Sequence, residues 1–327
     1  MTAPADSRHF TLQPIAEGVY AAIARDGAGA MSNAGIVDLG DRTLVFDTFM
    51  TPQAAEDLCA AAEALIGHPI AYVVNSHWHD DHVRGNQAFP NAEIAATDRT
   101  SLLMATKTPE SAERYRERAP GHVAGLREQY AATSDERERA RLALEISEGE
   151  EILASLPTLE LRLPTHTFHD RLTFRGPARE AQLLSYGGGH TESDAFVYLP
   201  AERILFAGDL VVHRTHPWMG HGNPDEWPRI LDRLEALDIG PLVPGHGPLA
   251  GRDAIGAVRA YLGDVQKLAA GLLLAGNGPD DLAQAPLPDA YAAWDAPEVF
   301  AGNMHFLGEH LAAQANVQSS PPSTPMP

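Results

Sequence analysis

The sequence predicts an α/β fold in which two β-sheets stack between outer layers of helix, and three observations lead there. Strand-like and helix-like segments alternate along most of the 327 residues. "IAYVVNS" at 70–76 reads as a strand buried on both faces. Finally, "DRTLVFDTF" at 41–49 is echoed by "AERILFAGD" at 201–209. Each places a basic residue, a hydrophobic strand and a terminal aspartate in order, with a helix later. Two such halves would put two sheets face to face.

The elements follow in chain order. Strand signals occupy 18–24, 33–40 and 42–48, with "LGD" at 39–41 marking a tight hairpin. A helix spans 51–67, with Thr51 as its N-cap, Pro52 at the first helical position and Gly67 closing it. Cys59, the single cysteine, falls inside it and is read as a small packing residue. After the strand at 70–76 comes a short one, "AEIAAT", at 92–97. The stretch 98–156 is highly charged, with Leu142, Ile146 and Leu153 at helical spacing, and reads as a helical insertion that Pro120-Gly121 splits. Its role is open between a solvated insertion, a lid and a dimer contact. "HTFHDRLTFRG", "REAQLLSYG", "DAFVYLP" and "RILFAGDLVV" return to strand. A helix then begins near an Asn223 or Asp225 cap, with Ile230, Leu231, Leu234 and Leu237 on one face. A helical stretch over 252–312 completes a domain starting near residue 8, and 313–327 has the composition of a disordered tail.

Composition removes several function classes. Lys and Arg total 24 against 44 Asp and Glu, a formal charge of −20, which repels phosphate backbones. Nucleic acid is therefore not an expected partner. No apolar run is long enough to span a bilayer, and the first residues lack the pattern of a secretory signal. A cytoplasmic protein acting on a small molecule, alone or as a homodimer, is the expectation.

The chemistry concentrates at the end of the strand at 70–76. "HWHDDH" places His77, His79, Asp81 and His82 within six residues. His77 and His79, two apart, can reach one ion, while Asp81 and His82 can turn toward a second. Imidazole nitrogen and carboxylate oxygen are the donors a zinc-like cation takes. One cluster cannot complete two coordination spheres, so partners are needed downstream. His190 in "YGGGHTESD", Asp209 in "LFAGDL" and His246 in "VPGHGP" are the candidates, each at a strand end or in a glycine-rich turn.

The motifs "SHWHDDH", "GGGHT", "FAGDL" and "PGHG", in that order, resemble those of the metallo-β-lactamase-fold hydrolase superfamily over about residues 10–250. The resemblance implies a four-layer αβ/βα sandwich. It implies that His77, His79 and His190 hold one metal, that Asp81, His82 and His246 hold the other, and that Asp209 bridges them with a hydroxide. Two divalent ions are implied, zinc first, with iron or manganese as alternatives. Asp81, beside the nucleophile, is the candidate catalytic residue for proton handling. Asp47, at the end of "LVFDT", and Thr191 are candidates to support the ligands, together with Asp194. Trp78, His213 and His216 are candidates to shape the pocket, in a region that also brings Trp218 and His221.

Branches of the superfamily differ at these positions. An aspartate at 209 is typical of glyoxalase-II-like thioesterases and lactonases and unusual in true β-lactamases. A small ester, thioester or lactone is therefore the expected substrate. A β-lactam, or a mononuclear iron centre oxidising a persulfide, is the alternative.

Overall fold

The computed structural model describes residues 7–319. The first half runs β1 (Phe10–Ala16), β2 (Val19–Ala24), β3 (Ala34–Asp38), β4 (Thr43–Phe46), α1 (Pro52–Ile66), β5 (Ile70–Val74), α2 (Asp80–Val83) and β6 (Glu93–Thr97). Then come α3 (Asp98–Ala132), α4 (Glu136–Ser155) and β7 (His166–Phe168). The second half runs β8 (Arg171–Arg175), β9 (Glu180–Gly187), β10 (Asp194–Leu199), β11 (Ile204–Gly208), α5 (Trp227–Glu235) and β12 (Leu242–Pro244). It ends in α6 (Asp253–Leu274), α7 (Pro279–Leu282) and α8 (Glu298–Ser319). Among the described residues no helix is long and apolar enough to cross a membrane.

Strands β1 to β7 form one sheet in sequential order, and β12-β11-β10-β9-β8 form the other. Alternation along the strands builds the layers. On β4, Leu44 and Phe46 face the second sheet, while Val45 faces α1. The inter-sheet core joins Val37, Leu44, Phe46 and Val74 to Leu183, Val197, Phe206 and Val243. Outside it, α1 covers the first sheet through Ala54, Ala55, Leu58 and Ala62. The second sheet is covered by α5, α6 and α8, through Ile230, Leu231, Val258, Tyr261 and Met304 among others. Helix, sheet, sheet, helix is the expected four-layer sandwich. Close approach of the sheets requires Gly35, where a Cβ would sit 2.2 Å from Phe206.

Thr51 caps α1 by accepting from the Ala54 amide, and Gly67 ends it in the left-handed region at φ 73°, as the sequence predicts. Two expectations fail. Pro120 does not split the insertion: α3 continues through Pro109 and Pro120 to Ala132. Each proline removes one amide donor, yet the C-terminal part of α3 packs on α4, with Val123, Leu126, Leu142 and Ile152 all buried. Gly149 of α4 makes that approach feasible, since a Cβ there would lie 2.6 Å from Val123. The break comes instead at 133–135, where the Asp135 side chain accepts from the Arg137 and Glu138 amides and starts α4. Residues 313–319, expected to begin a tail, instead continue α8 to Ser319. The remainder of that expected tail, 320–327, lies outside the described residues.

Helix α4 docks on the loop at 27–29, where Ser147 Oγ donates to the Gly27 carbonyl at 2.7 Å. Desolvation at this contact pushes the Glu148 carboxyl up to about 7, against hydrogen bonds from the Gly29 and Gly27 backbones. A folded-state value above the usual 4.5 favours folding of the neutral form. The stability is present at acid pH and is lost as pH rises through about 7. Glu148→Gln should therefore match the parent near pH 5 and exceed it by about 1–3 kcal/mol at pH 8 in urea unfolding. An identical difference at both pH values would contradict the assignment.

Candidate metal centre

The site forms where strands of both sheets end. Asp47 follows β4, the segment 75–77 follows β5, Asp209 follows β11, His246 follows β12, and His190 sits in the turn between β9 and β10. Backbone crowding explains the glycines beside them. A Cβ on Gly245 would lie 1.9 Å from Asp209 Oδ1, and one on Gly208 would lie 2.7 Å from Ser76 Cβ. Asn33 then pins the His246 turn, its side-chain amide donating to the Pro244 and Gly247 carbonyls at 2.9 and 2.8 Å.

Two donor groups result. His77, His79, His190 and Asp209 offer atoms that all lie within 4.8 Å of one another, and Asp81, His82 and His246 do the same. In the first group His190 Nε2 is 3.0 Å from His79 Nδ1 and 3.3 Å from Asp209 Oδ2. His77 Nε2 is 3.9 Å from the same oxygen. In the second, Asp81 Oδ2 is 3.4 Å from His82 Nε2 and 3.2 Å from His246 Nε2. Asp209 touches both groups, with Oδ1 3.2 Å from His82 Nε2 and Oδ2 3.3 Å from His246 Nε2. Donors around a tetrahedral zinc at about 2.0–2.1 Å are about 3.3 Å apart, so the spacing fits such an ion.

Each imidazole has its outer nitrogen engaged. His77 Nδ1 meets Ser76 Oγ at 2.9 Å, His82 Nδ1 meets Asp47 Oδ2 at 2.8 Å, and His79 Nε2 meets His221 Nδ1 at 2.9 Å. His190 Nδ1 and His246 Nδ1 face the Trp218 and Met31 carbonyls at 3.0 and 3.1 Å. The inner nitrogens therefore point at the centre. Of these, His77 Nε2 and His82 Nε2 are buried without a hydrogen-bond partner, as is Asp209 Oδ1. Orphaned buried polar atoms cost stability, and a shared cation is what satisfies nitrogen lone pairs and carboxylate oxygens together. The residues present fit a metal.

Electrostatics divides the groups. Burial, then neighbouring imidazoles, holds His77 and His79 well below the usual histidine range, and burial takes His190 to about 4. These three present free lone pairs. Burial also disfavours charge on His82 and His246, but Asp209 and Asp81 outweigh it, raising His82 well above its usual value and His246 to about 10. A cation entering there displaces protons.

The other predicted residues divide. Asp47 is fully buried and anchors two ligands, accepting from Ser76 N and Oγ at 2.7 Å as well as meeting His82. Thr191 is turned away from the donors. Its hydroxyl donates to Asp194, whose carboxylate also takes the Gly189, His190 and Thr191 amides and so shapes the His190 turn. Trp78 both packs on Val83, Leu103 and Met104 and borders the pocket, donating to Glu192 at 2.9 Å. His216 borders the pocket, but its ring nitrogens are taken by Tyr261 Oη and the Tyr291 carbonyl. His213 is drawn off to the Pro248 carbonyl, although its amide donates to the His246 carbonyl. Ser76 and His221 are supports that the sequence alone does not single out. The sequence shows His221 among four candidates in 213–221, and only the turn of the chain selects it.

Above the donors lies a pocket of about 490 Å³. Asp47→Asn keeps the side-chain shape and suits the left-handed backbone at φ 55°, but removes the charge facing His82. Metal affinity should fall about 10- to 100-fold by chelator competition, with unchanged far-ultraviolet circular dichroism. Undiminished affinity would deny Asp47 its orienting role.

The chain is similar to several known proteins. The family profile of the metallo-beta-lactamase superfamily matches residues 27–246. A metallo-beta-lactamase type 2 of Bacteroides fragilis is 33% identical over 100 residues, 29% of this chain and 40% of that protein. A linear primary-alkylsulfatase of a Pseudomonas species is 25% identical over 240 residues, 67% of this chain and 42% of that protein. The chain thus spans about two fifths of the length of these curated relatives. Among solved structures, a metallo-beta-lactamase from Pontibacter korlensis aligns with a TM-score of 0.57 at 20% identity, covering 77% of this chain and 98% of that one. One from Hirschia baltica aligns at 0.54 and 18%, covering 77% and 97%. At such identities the structural likeness speaks for the fold alone. With the family profile spanning most of the chain and including every donor of both groups, the protein belongs to the metallo-beta-lactamase superfamily.

Proposed function

We propose that the chain is a dinuclear metal-dependent hydrolase of a small carbonyl compound, an ester, thioester or lactone. The observation that carries this reading is the position of Asp209, whose carboxylate lies within 3.3 Å of an inner nitrogen from each donor group. One side chain at that distance from both can serve two ions at once. His77, His79 and His190 would hold one divalent ion, Asp81, His82 and His246 the other, with zinc the best match to nitrogen-rich donors. When bound, such a pair supplies Lewis acidity and hydroxide at neutral pH.

The chain's own residues do the rest. Asp81, whose Oδ2 is set between His82 and His246, would orient the attacking water and take up its proton on the carboxylate oxygen not used as a donor, which is its proposed catalytic role. The outer partners of the imidazoles keep the donors in place throughout. Trp218, Val212 and Val299 give the pocket an apolar side that suits an uncharged acyl group and limits water around the reacting carbonyl.

The relatives widen the panel, since their names specify β-lactams and alkyl sulfates as compounds to try. On metal-loaded protein the expected result is about two zinc-like ions per chain and turnover of thioesters or lactones. Turnover confined to phosphodiesters would overturn the carbonyl reading. One iron per chain with oxygen consumption would replace hydrolysis by a mononuclear oxidoreductase. Asp81→Ala should lower kcat by at least about 100-fold. Full activity of that variant with both metals retained would remove Asp81 from the mechanism.

A further inference from the structure

One wall of the pocket comes from the insertion. Ser111, Arg114 and Tyr115 of α3 line it, and their spacing puts them on one helix face. Two of the three are tied to the metal-binding loop. Ser111 Oγ donates to Asp80 Oδ2 at 2.5 Å, and Tyr115 carries over its ring the guanidinium of Arg84, which also pairs with Asp80 at 2.8 Å. Asp80 lies between His79 and Asp81, so this wall is fixed relative to the donors.

Arg114 is different. It has no ion pair or side-chain hydrogen bond among the described residues, unlike Lys107, Arg116, Arg127 and Arg141 of the same insertion, which pair with glutamates. Arg99, Arg118 and Arg137 are also without such a partner, but of these four it is Arg114 that lines the pocket over the donors. It stands over a pocket that is also lined by the carboxylates of Asp80, Asp81, Asp209 and Glu298. Its field reaches His221, the histidine that holds His79. Glu298, at the start of α8, lines the same pocket and has no cationic partner among the described residues either.

We propose that Arg114 is a specificity-determining subsite for a carboxylate carried by the substrate at a distance from its reacting carbonyl. The inference rests on the hydrolase reading and names its substrate class: a carbonyl compound with a short apolar body and a remote anionic end. A guanidinium offers a carboxylate two parallel donors. Glu298 repels the same group, so the two charges together set which way round the substrate lies. The apolar side of the pocket receives the body between the two ends.

The test uses the full-length, metal-loaded protein and two N-acetylcysteamine thioesters, of adipic acid and of its mono-amide. They differ only in whether the far end is charged. The wild type should show a lower KM for the acid. Arg114→Gln should raise that KM about 5- to 30-fold, discounting a charged hydrogen bond for its exposure, while leaving kcat and the amide's KM unchanged. Arg114→Lys should restore part of the difference. Arg118→Gln, one turn further along the exposed face, should do nothing. Equal KM values for acid and amide in the wild type, or a parallel shift of both in Arg114→Gln, would overturn the subsite.

Binding separates this from failure of the hydrolase reading. The same two compounds with the thioester sulfur replaced by NH can be titrated by tryptophan fluorescence, since Trp78 and Trp218 both border the pocket. Arg114-dependent preference for the acid analogue, without thioester turnover, would keep the subsite and reject the hydrolase. Turnover without that preference would do the reverse.

Discussion

Asp209 is a carboxylate buried at the meeting point of the two sheets, within 3.3 Å of imidazoles from three separate stretches of chain, and the rest of the site is arranged around that position. Burial alone would push its proton affinity up, but His246, His82 and His190 outweigh burial and hold it well below the usual carboxylate range. A charge so enclosed is tolerable only with compensation close by. The imidazoles supply that in part, and a cation bound between them would complete it. This explains why His77 Nε2, His82 Nε2 and Asp209 Oδ1 can remain without hydrogen-bond partners in a well-packed interior.

The fold supplies the precision that this cluster demands. Asp209 and His246 follow neighbouring parallel strands, β11 and β12, while the first donors follow β5 of the opposite sheet. Bringing them together forces backbone against side chain at Gly245 and Gly208, where any larger residue would displace a donor or its support. Asp47 links the sheet to two ligands at once, bonding His82 directly and His77 by way of Ser76. The orientation of the imidazoles is thus set by segments that leave the ends of core strands. Loops alone would hold them less well.

The seven candidate donors were legible in the sequence because coordination needs particular atoms, and few side chains offer them. Histidines two apart beside an aspartate, with glycine-flanked partners downstream, leave little other use for that pattern. The two-sheet architecture was legible from alternation of strand and helix for a similar reason. The insertion's internal break was not. Pro120 is a helix breaker by local preference, but packing of α3 on α4 overrides it, and the actual break depends on the Asp135 cap. Nor could spacing decide among His213, His216 and His221, because a loop carries no periodicity from which side-chain direction follows. His216 turned into a cluster with Tyr261 and Trp294 that forms only when the C-terminal helices dock.

That contrast between donors and pocket has a structural origin. The donors come from the ends of core strands and the turns between them, whereas much of the pocket comes from elements added outside the sheets. Ser111, Arg114 and Tyr115 arrive on α3, while Ala296, Glu298 and Val299 arrive with the C-terminal helices. Reaction chemistry is therefore written in local motifs, each readable over a few residues. The shape of the pocket depends on how two peripheral helical regions lie over the donor groups, which is tertiary information. The link from Asp80 to Ser111 and Arg84 shows how the two levels are joined. A residue between two candidate donors also fastens the insertion, so a change in the wall is transmitted to the loop that holds His79 and Asp81. On this view the insertion is part of the active site rather than a cover for it, and altering α3 should change which compound is accepted before it changes how the bond is broken.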